Sequence, residues 1–263
     1  MTDRSRVAVV TGSGGAGCGR AIARRFARDG LCVTVSDVDE AGGHATVRAI
    51  ERDGGRAAFC RADIRDEAQA RELTAFAVDT FGGVDVLINN ASAPHPPTEG
   101  IAGWFESLQT DLVGTLHVTR YAIDAMRARG GGSIVGISSI SALWNGRTTP
   151  GGFPGYDVAK AGVIRMTTGL AREMEAMGIR INCLAPGWID SDGPRQYWES
   201  LTPQQRIERG VPSRLLTTTE IADIVARIAD DRTLNGRLVV WWSEDRPRLV
   251  AWGDRGYRDF TNF

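Results

Sequence analysis

The chain has 263 residues, a formal net charge of −1 and a 42% hydrophobic share. This length fits one large α/β domain or two small ones, and the composition can fill a sizeable core. Acidic and basic residues balance along the chain, which argues against nucleic acid or an anionic membrane surface as partner, and no apolar run approaches the ~20 residues of a membrane span.

Short β-branched runs alternate with helical patterns. Residues 6–11 read as a first strand, buried through Val7, Val9 and Val10, and 19–29 as a helix with Ile22, Ala23 and Phe26 inward. Strand 31–36 and helix 40–53 follow, then strand 56–62 and helix 67–81. Next come strand 84–89, a long helical stretch over 101–129, strand 133–138 and helix 156–177. Strand 179–184, helix 220–230 and strand 237–242 complete the pattern. Apolar strands joined by helical crossovers predict an α/β fold, a Rossmann-type doubly wound seven-stranded parallel sheet in a single domain over 1–263. Two segments without clear periodicity, about 140–155 and 187–212, follow strand ends, where such sheets bind ligands; they are expected to be substrate loops. Residues 243–263 form an Arg- and aromatic-rich tail, expected to pack on its own or a neighbouring subunit.

The first residues run straight into the first strand with no secretory pattern. Cys18, Cys32, Cys60 and Cys183 form neither C-x-x-C nor a Cys/His cluster. Reduced thiols, no metal site and a cytoplasmic location are the expectation.

Strand one ends in Thr11-Gly12-Ser13-Gly14-Gly15-Ala16-Gly17-Cys18-Gly19, just before a helix. Glycines let the backbone approach a pyrophosphate, and the helix N-terminus offers N–H groups and a positive dipole end. Asp37 follows strand two, where a carboxylate accepts hydrogen bonds from the adenosine ribose and repels a 2′-phosphate. No basic residue lies in the glycine turn, and Val38 follows Asp37, so NAD is favoured over NADP as cofactor. The competing role for Asp37 is a helix cap, which Asp39 can fill instead. Loss of the Asp37 carboxylate is then expected to relax the choice of dinucleotide.

Of 31 Lys and Arg residues only one, Lys160, is lysine. It stands four residues after Tyr156, on the same helix face. Lysine differs from arginine where a compact point charge is required. An ammonium beside a phenol favours phenolate, so the Tyr156 pKa is expected to fall below its usual value and suit a general acid/base for an alcohol or ketone.

The glycine turn, Asp63, Asn89-Asn90-Ala91, Ser139, Tyr156 with Lys160, and Pro186-Gly187 occur in one order over residues 6 to about 240. Together they resemble the short-chain dehydrogenase/reductase family, in its single-domain branch. The resemblance implies that Gly12, Ser13, Gly17, Cys18 and Gly19 surround the pyrophosphate, and that Asp63, with Ile64 beside it, meets the adenine. It places Asn89 and Ala91 beside the adenine ribose, and Pro186, Gly187, Ile189 and Ser191 near the carboxamide. Ser139 would hold the substrate oxygen, Tyr156 would exchange its proton, and Lys160 would bind the nicotinamide ribose. Assembly as a homotetramer or dimer through helices 101–129 and 156–177 is also implied.

The chain departs from the family at several positions. The glycine turn has one residue more between Gly12 and Gly17. Asn-Asn-Ala is followed by Ser92 rather than glycine. Asp111 occupies the helix position of a usual catalytic asparagine and is expected to pair with Lys160, raise its pKa and weaken its pull on Tyr156. The connection from Ser139 to Tyr156 is longer, read either as an enlarged pocket wall or as a surface insertion.

Trp144, Phe153, Trp188, Tyr197 and Trp198 fall in the two loop segments and suit a bulky apolar or cyclic secondary alcohol or ketone; alternatively they only cover the cofactor. Arg147 or Arg195 offers a contact to a carboxylate. His95 reads as a solvated loop residue, His44 and His117 as ordinary helix residues. The leading expectation is an NAD-dependent alcohol dehydrogenase/ketone reductase. Its rivals are an NAD-using epimerase or dehydratase on the same scaffold, and a non-catalytic dinucleotide-binding protein.

Overall fold

In the computed structural model, which describes residues 5–93, 100–143 and 153–251, eight strands lie side by side in one sheet. They are β1 (Val7–Thr11), β2 (Cys32–Asp37), β3 (Arg56–Arg61), β4 (Val86–Asn89), β5 (Gly132–Ile137), β6 (Ile179–Pro186), β7 (Leu238–Trp241) and β8 (Arg248–Leu249). Their order across the sheet is β3-β2-β1-β4-β5-β6-β7-β8. The first seven pair in parallel. The expected seven-stranded sheet is therefore extended by β8, which runs antiparallel to β7 through Val239–Leu249 and Val240–Arg248. Two exposed residues carry no period-2 pattern, so the sequence gives β8 no signal.

The crossovers are α1 (Cys18–Arg28), α2 (Glu40–Arg52), α3 (Glu67–Phe81), α4 (Ile101–Ser107), α5 (Thr115–Arg129), α6 (Pro154–Glu175), α7 (Asp192–Glu199), α8 (Pro203–Glu208) and α9 (Thr218–Asp230). Their starts follow local rules. Asp39 accepts the Gly42 N–H at the head of α2, Thr217 and Glu220 form a capping box on α9, and Pro154 opens α6 at its first turn. The stretch 101–129, expected as one helix, is interrupted by a π segment, Leu108–Gly114, between α4 and α5.

Both sheet faces are covered. On one, Ile22 and Phe26 of α1 and Ile221 and Val225 of α9 join Val33, Val35, Val135 and Leu184. On the other, Leu73 of α3 with Val118 and Met126 of α5 meet Val9, Leu87, Ile134 and Ile181. Strands buried on both faces explain their continuous apolar character. At the N-terminal edge of the sheet, Asp85 accepts the Val7 N–H at 2.7 Å and pairs with Arg129 at 2.5 Å, a bridge with side chains only 19% and 5% exposed. The strand order reverses between β1 and β4, so the crevice at their C-terminal ends is where this architecture receives a ligand.

Candidate active site

The turn after β1 is shaped by close backbone packing. Gly12 has φ +64, and a Cβ there would lie 2.6 Å from the Ala91 Cα. Gly19 touches the Gly12 carbonyl so closely that no side chain fits between turn and helix. Asn90 fastens the turn to β4 by donating its amide to the Thr11 and Gly12 carbonyls, both at 3.0 Å. Ser13 is fully buried and turns its hydroxyl inward to the Val10 carbonyl. Gly15 and Gly17, in contrast, have nothing within 4 Å of a notional Cβ. Gly17 caps α1 without a side chain, so the first-turn N–H groups meet no capping oxygen from it. The open limb and the uncapped helix suit an anionic pyrophosphate. Cys18 begins α1, and burial pushes its thiol up to about 12, away from thiolate chemistry.

Asp37 and Asp63 stand at neighbouring strand ends, since Asp37 pairs in register with Arg61. Asp37 accepts the Gly14 N–H at 2.7 Å and the Asp39 N–H at 3.0 Å. Asp39 does cap α2, as the alternative to Asp37. Arg65 grips Asp63 in a fork, at 2.9 and 2.5 Å, and holds its carboxyl below the usual range. Ile64 packs under the π segment, where a Cβ on Gly114 would lie 2.7 Å from its Cγ1. The Ile64 carbonyl meets the His117 ring at 3.1 Å. Buried Asn89 donates to Thr119 at 2.8 Å, leaving its Oδ1 without a hydrogen-bond partner among the described residues.

The candidate acid/base residues converge from the segment after β5, the π segment and α6. Lys160 Nζ lies 5.3 Å from the Tyr156 ring centroid, and the Ser139 hydroxyl hydrogen-bonds the phenol. Ser139 in turn receives the Ser141 hydroxyl at 3.0 Å and the Ser141 N–H at 3.2 Å. Lys160, 3% exposed, donates to the Ile137 carbonyl at 3.1 Å and pairs with fully buried Asp111 at 3.6 Å. Asp111 also accepts the Ser92 hydroxyl at 2.8 Å and the Ala93 N–H at 2.7 Å. Burial alone would pull the Lys160 ammonium down, but Asp111 and Tyr156 raise it above its ordinary value. The expected rise of Lys160 is therefore found.

The expected fall of Tyr156 is not. Burial raises the phenol more than Lys160 lowers it, and Asp111 adds to the rise, so the net shift is upward. The ammonium four residues away is visible in the sequence, whereas the desolvation that comes with placing both groups inside is not.

The segment after β6 folds across the site. Gly187 donates to the Trp241 carbonyl at 2.7 Å, and Trp188 donates its N–H to Ser243 Oγ at 2.9 Å. Ile189 bridges to Leu216 in parallel, and Ser191 precedes α7. Trp188 and Tyr197 stack with centroids 5.9 Å apart, and Trp198 lies under Arg206 and donates to the Pro212 carbonyl. Arg195 is paired with Asp190 at 2.5 Å, so its charge is already engaged. His95, Trp144, Arg147 and Trp252 lie outside the described residues.

Residues 6–201 match the family described as short chain dehydrogenase. The chain belongs to the short-chain dehydrogenase/reductase family. A cis-4-hydroxycyclohexanecarboxylate dehydrogenase of Sinomonas cyclohexanicum is 35% identical over 234 residues, covering 86% of this chain and 90% of that protein. The (2S)-[(R)-hydroxy(phenyl)methyl]succinyl-CoA dehydrogenase subunit BbsD of Thauera aromatica is 32% identical over 237 residues, covering 88% and 92%. Among solved structures, an actinorhodin polyketide ketoreductase variant with NADPH superposes with a TM-score of 0.80 at 29% identity, covering 90% of this chain and 95% of that one. The family consists of oxidoreductases that bind a nicotinamide dinucleotide and act on alcohol- and ketone-type substrates.

For this short-chain dehydrogenase, four contributors to the site were missed in the sequence. Ser92 read as a mild departure, yet its hydroxyl supplies a hydrogen bond that a glycine cannot give Asp111. Ser141 and Ser243 sit one turn or one strand away from recognised motifs and act through a single hydroxyl each. Arg20 reaches the Gly14 carbonyl from α1 at 2.5 Å. A paired reading of Ser92 with Asp111, two departures at once, was the one signal available. Among the described residues no helix is long and apolar enough to cross a membrane, and no three metal-ligating side chains gather.

Proposed function

We propose that the chain is an NAD-dependent oxidoreductase that interconverts a secondary alcohol and a ketone, with Tyr156 as general acid/base. The observation that carries this reading is the convergence of Ser139, Tyr156 and Lys160 when Lys160 is the only lysine in the chain. A binding module has no use for an acid/base set held by a buried ion pair.

The residues fit a dinucleotide. The Gly15–Gly17 limb and the α1 N-terminus hold the pyrophosphate, with Gly12 and Gly19 letting turn and helix close together and Ser13 and Cys18 lending backbone. Asp37 receives the adenine ribose hydroxyls, which is the ground for NAD. Asp63 and Ile64 border the adenine, and Asn89 and Ala91 border the ribose. Pro186, Gly187, Ile189 and Ser191 flank the carboxamide. When bound, the nicotinamide accepts or supplies the hydride at the carbinol carbon.

In the oxidative direction the Tyr156 phenolate takes the hydroxyl proton, and Ser139 donates to the substrate oxygen. Lys160 stabilises the phenolate and reaches the nicotinamide ribose. Asp111 holds Lys160 in place. In reduction the same groups run in reverse. Trp188, Tyr197 and Phe153 favour a bulky, apolar or cyclic substrate, a reading supported by relatives named for ring-bearing alcohols. A groove of about 360 Å³ between α5 and α6, lined by Leu116, Ile123, Leu170 and Met177, suits the subunit contact of a dimer or tetramer. The four thiols are free, in keeping with a reducing cytoplasm.

The test is nicotinamide absorbance with cyclic and aromatic secondary alcohols and ketones, run with NAD(H) and NADP(H). Turnover with NAD(H) is expected. Redox-neutral conversion with no net change in free cofactor would point to an epimerase or dehydratase instead. NADH binding, read by tryptophan quenching, without turnover of any panel member would favour a dinucleotide sensor.

A further inference from the structure

The lengthened glycine turn does not bulge freely. Ser13 continues the β1–β2 seam: its N–H donates to the Ser36 carbonyl at 3.0 Å, and the Ser36 N–H returns to Ser13 Oγ at 3.1 Å. Gly14 comes next, buried, with its N–H on Asp37 Oδ2 at 2.7 Å and its carbonyl held by Arg20 at 2.5 Å. Arg20 also donates to Thr46 at 2.8 Å, and Thr46 donates to the Ser13 carbonyl at 2.8 Å. The turn is thus divided. Ser13 and Gly14 are bolted to β2 and α2, and Gly15–Gly17 are left open for the ligand.

We propose that Asp37 is the latch of this lengthened turn as well as the ribose acceptor, so that dinucleotide choice and the shape of the pyrophosphate limb are set by one carboxylate. This deepens the dinucleotide reading above and rests on it. A carboxylate that acted only by repelling a 2′-phosphate would be replaceable by any small neutral residue. A latch is not: without an acceptor the Gly14 N–H is stranded in a partly buried site and the limb loses its anchor. Gly14 has no slack to compensate, since a Cβ there would lie 2.9 Å from both Cβ and Cγ of Asp37.

Three variants separate charge from latch. Asp37→Asn removes the charge and keeps a carbonyl oxygen for the Gly14 N–H. Asp37→Ala removes both. Gly14→Ala keeps the charge and forces Asp37 off the turn. Dissociation constants for NADH and NADPH are read by tryptophan quenching, with a melting curve for each protein. Asp37→Asn is expected to hold NADH within about threefold and to gain NADPH about tenfold; Asp37→Ala and Gly14→Ala are expected to lose NADH about tenfold and to gain no NADPH. If Asp37→Ala fails to fold, the other two variants decide. Asp37→Ala binding NADPH as well as Asp37→Asn does, or Gly14→Ala keeping wild-type NADH affinity, would overturn the latch. Wild-type protein that binds neither dinucleotide would instead defeat the reading on which it rests, and the latch with it.

Discussion

Tyr156 sits under opposing influences, and their balance sets how readily it gives up its proton. Desolvation and Asp111 hold the phenol up, and Lys160 draws it down. Replacing Asp111 with asparagine removes the negative charge that disfavours phenolate. In the proposed mechanism alcohol oxidation needs phenolate, so its rate should rise with pH through the Tyr156 pKa, and the Asp111→Asn variant should show that limb displaced to lower pH. An unmoved profile would remove Asp111 from the acid/base network. Tyr156→Phe should cut turnover by about 10²-fold or more while NADH quenching stays near wild type; an active phenylalanine variant would reject the mechanism. The Tyr156–Lys160 spacing was legible in the sequence because four residues on a helix share a face. The direction of the Tyr156 shift was not, because burial is a property of everything packed around a residue and not of its neighbours in the chain. Ser92 shows the same limit: its value to Asp111 exists only because the segment after β4 meets the π segment.

Elements were legible where burial imposed a period. Helix α3 spans Glu67–Phe81, the range its pattern predicts, and Asp66 caps its start. Helices α7 and α8 escaped because neither buries a single residue, and a helix without a buried face leaves no hydrophobic stripe to read. They lie in the segment that Ser243 pins at Trp188. Ser243→Ala should free the base of that segment, raising KM with little change in kcat and speeding proteolysis between Gly187 and Pro212. Equal cleavage rates in the two proteins would argue that the Gly187–Trp241 hydrogen bond suffices. The π segment was invisible for a different reason: it preserves the helical sequence pattern and only widens one turn. That widening falls on Asp111 itself, consistent with the tendency of such turns to occur at functional positions.

At the scale of the molecule, the candidate site and a buried ion pair occupy opposite ends of the sheet. The C-terminal strand ends carry the glycine turn, Asp37, Asn89 and Ser139, while the Arg129–Asp85 bridge and its bond to the Val7 N–H lie at the other end. Arg129→Ala leaves a mostly buried carboxylate without its cation, so stability should fall by about 3 kcal/mol, seen as a lower denaturation midpoint, with KM unchanged. A parallel change in KM would mean that the two ends communicate. The parallel order of the strands was readable from alternating apolar runs, whereas β8 depended on a pairing that two residues cannot announce.

The confinement of lysine to one buried position also makes the molecule its own reporter. Apart from the N-terminus, the folded surface presents no primary amine, because the side chain of Lys160 is 4% exposed and ion-paired. A lysine-specific protease therefore has one cleavage point, inside α6, and can reach it only when the site comes apart. The rate of that single cut, or of acylation at that single amine, should track opening of the structure around Lys160, and should slow on addition of NADH.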